Sequence, residues 1–163
     1  MAAWQFQFSL LPVAGILRLH GKIVITLPEY DMRIPDAPIK ELSDFNNYWE
    51  GIRMPPPWIE SLERLLPQKK SWSDEAKMFG DDESDNIEIW NDDINCSIDV
   101  RNLNMPLVIS IVKIANHMQC KIVLKDGGLL IDADILKVTS ELKNSRAMRF
   151  VSDPIGFLKQ RAS

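Results

Sequence analysis

The sequence predicts an α+β domain (mixed α/β in local order). It has a mainly antiparallel sheet, an N-terminal meander, a central hairpin–helix–strand unit, and helices packed on the sheet. Three observations predict it. Ile94, Cys96, Ile98 and Val100 alternate with Asn95, Ser97, Asp99 and Arg101, the period-two signature of a strand with one buried face. Val108, Ile111, Val112, Ala115 and Met118 recur at helical spacing, with Leu107 and Ile114 widening the stripe, as in a helix laid on a sheet. Trp4, Phe6, Phe8 and Leu10 alternate with Gln5, Gln7 and Ser9 in a further strand.

In chain order, that first strand is interrupted at Leu11-Pro12. Gly15–Leu19 and Lys22–Leu27 read as two more strands around a tight His20-Gly21 turn, completing a three-stranded meander. Residues 28–38, punctuated by Pro28, Pro35 and Pro38, read as a connecting loop. Leu42, Phe45, Trp49 and Ile52 fit one helical face, and Gly51 marks its end. Met54-Pro55-Pro56-Pro57 is a stiff break whose last proline can open the next helix. That helix carries Trp58, Ile59, Leu62, Leu65 and Leu66 inward and stops at Pro67.

Residues 68–85 are the most polar stretch, expected as an irregular loop or short helix anchored by Trp72 and Phe79, and as the most mobile region. Ile87–Trp90 and Ile94–Arg101 form the expected hairpin, with Asn91-Asp92-Asp93 at its tip. Pro106–Gln119 is the central helix and Cys120–Leu124 the strand after it. The strand–helix–strand order implies a crossover, with an antiparallel return as the alternative. Asp126-Gly127-Gly128 gives a turn before Leu129–Ile131. A helix capped by Asp132 or Asp134 buries Ile135, Val138, Thr139 and Leu142, and Ser145–Val151 is helical or turning. Asp153-Pro154 starts a last short helix.

A chain of 163 residues, 45% hydrophobic and 26% charged, is expected to form a single domain spanning 1–163 with a core of its own. No apolar run approaches the roughly 20 residues that span a bilayer. The N-terminus is strand-like and lacks the basic region of a signal peptide, so a cytoplasmic location is expected, with no membrane partner. Cys96 and Cys120 lie inside expected strands and support neither a zinc pattern nor a redox pair; they read as buried thiols.

Charge is unevenly spread. Asp74, Glu75, Asp81, Asp82, Glu83, Asp85, Glu88, Asp92, Asp93 and Asp99 stand against Lys77 alone, while residues 1–73 are neutral and residues 100–163 mildly basic. An acidic face speeds and orients encounter with a basic partner. The plain alternative is a solvated edge that keeps the chain apart from its neighbours. The basic excess follows no nucleic-acid-binding motif, so no nucleic-acid partner is expected. Asp81, Asp82, Glu83 and Asp85 have the composition of a calcium loop without its order, so no metal and no cofactor are expected. The histidines, His20 and His117, fall on a turn and on an outer helix face, and the Cys120 near His117 begins a buried strand. That is not a nucleophile with its base, so the chain is read as no enzyme. A hydrolase built on paired carboxylates stays open, because which acids converge is a property of the fold.

Several stretches resemble one known group. They are Leu65-Leu66-Pro67, Ser71-Trp72-Ser73, Phe79-Gly80-Asp81, the Ile87–Arg101 hairpin, Cys120-Lys121-Ile122-Val123, Asn144–Val151 and Asp153-Pro154. Over roughly residues 57–160 the chain is similar to small bacterial immunity proteins of polymorphic and contact-dependent growth-inhibition toxin systems. Residues 1–56 lie outside the resemblance. It implies a stoichiometric inhibitor whose partner is a cognate toxin C-terminal domain, a nuclease being the expected case. The partner-binding residues expected on the acidic centre are Trp72, Asp81, Asp82, Glu83, Asp85, Glu88, Trp90, Asp92 and Asp93. The alternative is a non-catalytic adaptor or secretion-chaperone-like module, as a monomer or a homodimer.

Overall fold

The computed structural model describes residues 2–33 and 46–162. Its centre is a seven-stranded antiparallel sheet. The strands are β1 (Gln5–Pro12), β2 (Gln68–Lys69), β3 (Ala76–Gly80), β4 (Asn86–Trp90), β5 (Ile94–Asp99), β6 (Cys120–Leu124) and β7 (Leu130–Ile131), in the spatial order β2-β3-β4-β5-β1-β6-β7. The helices are α1 (Val13–His20), α2 (Pro56–Glu63), α3 (Met105–His117), α4 (Ile135–Lys143), α5 (Arg146–Ser152) and α6 (Pro154–Ala162). This is the expected α+β class.

The first strand sits in the middle. β1 pairs antiparallel with β5 on one side and with β6 on the other. β5 and β6 therefore run parallel to each other, and α3 makes the crossover between them with β1 inserted. The connection is thus the expected crossover and not the antiparallel return, although the two strands are not neighbours. Register places Phe6 beside Ile98 and Phe8 between Cys96 and Leu124, so every alternate residue of these strands faces α3. On that face Leu107, Val108, Ile111, Val112, Ile114 and Ala115 of α3 meet Leu62 of α2, Val138 and Leu142 of α4 and Ala147 of α5. Burial of each large aliphatic here contributes about 1.5–3 kcal/mol. Asn104 caps α3 by accepting from Leu107 N at 3.2 Å, and Asp134 caps α4.

The N-terminal meander is corrected. Residues 13–20 are helix α1, and Gly21 is its left-handed C-cap (φ 71°), donating its N–H to Leu17 O. Residues 22–27 join the sheet only through a bridge between Thr26 and Leu129. This segment and α1 cover one end of the opposite sheet face, where Leu11, Ile16, Leu27, Tyr48, Val123 and Leu130 form a smaller core. Gly15 lets α1 lie directly on residue 48, because a Cβ there would come within 1.8 Å of Tyr48 O.

Residues 68–85 are also corrected. They contain two strands and a closed turn: Met78 is fully buried and Phe79 2% exposed, and β3 pairs along its length with β4. Of the helix expected around Leu42, Phe45, Trp49 and Ile52, the first two residues lie outside the described residues. Trp49 falls in a turn that Ile52 closes by donating its N–H to Trp49 O, and Trp49 is buried with its Nε1 donating to Leu10 O at 3.2 Å.

Candidate interaction surface

Strand β4 organises the surface. Ile87 and Ile89 face the core, so Asn86, Glu88 and Trp90 point to the opposite face. That face has little apolar cover at its centre. Gln7 of β1 pairs there with Ser97 of β5 and Ser9 with Asn95, Gln5 lies opposite Asp99, and Asn86 and Glu88 of β4 follow opposite Ser97 and Asn95.

The turn from Asp81 to Asp85 lies at one end of β4. It is held from several sides. Gln5 Nε2 donates to Asp82 O at 3.0 Å and to Ser84 O at 2.7 Å. Trp4 Nε1 donates to Glu83 O at 2.7 Å, and Arg101, lying over the Trp4 ring, donates to the same oxygen at 3.2 Å. Asp85 turns inward and accepts from Asp99 N at 2.7 Å. Burial raises the Asp85 carboxyl above the usual range, and the neighbouring Asp99 charge adds to this. Asp81, Asp82 and Glu83 are left exposed; Asp82 pairs with Lys69, and Asp81 closes the turn by accepting from Glu83 N. The acidic turn is therefore pre-organised, where the sequence reading expected mobility.

The turn at residues 91–93 lies at the other end of β4, about 16 Å away by strand rise. The structure thus divides the acidic centre. Asp92 is exposed, but Asp93 is directed inward: Oδ1 is buried without a hydrogen-bond partner, and Oδ2 accepts from Ser9 Oγ at 3.2 Å. Burial pushes the Asp93 carboxyl up to about 6 despite the nearby Lys125. Trp72 and Trp90 do come together at this end, with ring centroids 5.3 Å apart, and Trp90 Nε1 donates to Glu88 Oε2 at 3.1 Å. Trp72 is 73% exposed, a large apolar side chain left in solvent.

Asp82, Asn86, Glu88, Trp90 with Trp72, and Asp92 therefore form one strip along β4. Asp85 and Asp93 support it from beneath. Gln5, Gln7 and Lys125 belong to the same face and were missed. For the two glutamines the signal was in the sequence as the polar half of the β1 alternation, but only the insertion of β1 beside β5 makes it part of this surface.

Burial pushes the Cys120 thiol up to about 12 and the Cys96 thiol higher still. His117 stacks on Trp58 with centroids 4.9 Å apart. His20 Nε2 lies 3.0 Å from Tyr48 OH, which donates to Glu29 at 2.6 Å; burial and then Glu29 raise the Tyr48 phenol. Among the described residues, no group of three or more His, Cys, Asp or Glu is placed to hold a metal ion, and no helix is long and apolar enough to cross a membrane. Comparison with protein-family models, curated proteins and solved structures finds no match.

Proposed function

We propose that the protein is a cytoplasmic, non-catalytic binding module that neutralises a basic protein partner, in keeping with the immunity-protein resemblance a cognate toxin domain of nuclease type. The observation that carries this reading is the pinned turn. Backbone carbonyls of Asp82, Glu83 and Ser84 are all engaged from β1 and Arg101, so Asp81, Asp82 and Glu83 stand outward at little further cost in ordering. The exposed Trp72 on Trp90 supplies an apolar anchor at the other end of the strip. Acidic rim charges set encounter rate, and a desolvated tryptophan sets residence time.

The test is binding kinetics against the toxin domain encoded by the adjoining reading frame. Replacing Asp81, Asp82 and Glu83 together by Lys should slow association at least about tenfold at low salt and flatten its salt dependence. Trp72→Ala should leave association nearly unchanged and cost about 2 kcal/mol through faster dissociation. Unchanged rates in both variants would remove this surface from the reading, and an adjoining frame with no toxin domain would remove the toxin.

A second reading, an adaptor or homodimeric chaperone, draws on α6. Ile155 and Leu158, three residues apart on that helix, are 68% and 56% exposed. A light-scattering mass of twice the chain, reduced to one by Ile155→Lys, would favour it.

A further inference from the structure

Helix α6 leaves one side bare. Ile155 and Leu158 are 68% and 56% exposed, and Lys159 beside them is exposed too. The helix is held from its other side. There Phe157 meets the Phe150 ring edge-on, with centroids 5.6 Å apart, and Arg146 lies over the Phe157 ring. At about 100° per residue, the common direction of Ile155, Leu158 and Lys159 lies roughly 150° from Phe157. Phe157 lines a cavity together with Ala2, Ala3 and Gln5, and Gln5 braces the acidic turn. The bare side of α6 therefore looks away from that turn.

The charge around α6 is mostly of one sign. Residues 135–162, which hold α4, α5 and α6, carry six Lys and Arg against Glu141 and Asp153. Among the described residues, Lys143, Arg149 and Lys159 are exposed and form no ion pair. Asp153 is engaged at the start of α6, where it accepts from Gly156 N at 3.0 Å. Screening over about 10 Å lets this local excess, and not the net charge of −4, set what comes into contact here.

We infer that the bare side of α6 rests on an anionic lipid surface. Such a surface takes both features at once. Ile155 and Leu158 enter the boundary between headgroups and acyl chains, while the Lys and Arg heads stay at the phosphates. A nucleic acid would answer the charge and leave the two aliphatics in water. A second copy would cover the aliphatics and bring like charges together. An acidic protein would need a groove shaped to two side chains projecting from a convex helix, whereas lipid deforms around them. Lying on a bilayer needs no spanning helix, so the shortness of α6 is no obstacle. The inference goes beyond the binding-module reading and draws nothing from the acidic strip.

The test is co-sedimentation of the intact chain with phosphatidylcholine vesicles, with and without about one third phosphatidylglycerol. Binding to the anionic vesicles is expected to exceed binding to the neutral ones at least about tenfold, and to fall as salt is raised. Replacing Ile155 and Leu158 together by Ser should weaken it at least about tenfold. Lys159→Gln, which keeps the aliphatic stem and removes the charge, should weaken it about fivefold. Because Lys159 is exposed and unpaired, this second variant keeps the test intact if the double one is destabilised. Equal binding to the two kinds of vesicle, binding to neither, or anionic binding that both variants retain would overturn the inference. So would a mass of twice the chain in the absence of lipid that the double variant reduces to one, because a second copy would then cover this side of α6.

Discussion

Asp93 shows what a single residue contributes here. Its sequence position, in an Asn-Asp-Asp turn, looked like solvent; its Oδ1 is buried with no bond to satisfy it. A carboxyl held up to about 6, against about 3.9 in an unfolded chain, binds more protons in the folded state between those values. Stability therefore falls as pH rises from about 4 to about 6, and the loss is complete above the folded value. Two units correspond to at most about 3 kcal/mol. Asp93→Asn removes this dependence, at the cost of leaving Lys125 with Glu88 as its remaining opposing charge. Urea unfolding from pH 4 to pH 7 should show the variant gaining on the parent steadily up to about pH 6 and holding level beyond. A constant difference across that range would show that Asp93 is not the group that titrates.

Among the elements, α3 and β5 stood out by a long, clean period, whereas α1 was misread and β3 hidden. Helix α3 spans 13 residues with a wide apolar stripe, and β5 alternates over its six, so both stood out. Val13–His20 is only eight residues long. Its apolar positions, Val13, Ile16 and Leu17, also satisfy a helical spacing, and so short a run does not separate strand from helix. Strand β3 was hidden for another reason. Ala76, Met78 and Phe79 sit among Ser, Asp, Glu and Lys, and their burial comes from pairing with β4, a contact that no local pattern encodes. The candidate surface was half legible. Exposed acids and tryptophans were named from charge and size, while the amides beside them required the strand order.

The same short helix offers a test in which two effects oppose each other. Gly15→Ala would gain about 1 kcal/mol of helix propensity. It would also place a methyl 1.8 Å from Tyr48 O, a backbone atom that cannot rotate away. Overpacking of that kind costs about 1–3 kcal/mol and more when backbone must move, so the clash wins. The urea midpoint should fall with an unchanged slope. A midpoint at or above the parent's would mean that α1 does not bear on residue 48 in solution.

At the scale of the whole molecule, the position of β1 sets how the protein holds together. Nearest the N-terminus in sequence, it is fifth in the sheet and supplies both of its edges, to β5 and to β6. Phe6, Phe8 and Leu10 also sit at the floor of the main core, and Gln5 and Trp4 hold the acidic turn. Without it, the β2–β5 ladder and the β6–β7 hairpin share no hydrogen bonds among the described residues, and the packing of the helices links them. A chain lacking residues 2–12 should therefore lose its cooperative thermal transition. The β3–β4–β5 ladder would then present an open strand edge, a template for aggregation. Adding a synthetic peptide of residues 2–12 to the freshly diluted truncated chain should restore a cooperative transition whose midpoint rises with peptide concentration, as linkage requires of a ligand that binds only the folded state. Restoration should bring back the slow exchange of the Asp99 amide, which is bonded to Asp85. A truncated chain that unfolds cooperatively without peptide would show that helix packing suffices to join the two halves, and β1 would then be a covering strand, not the keystone of the sheet.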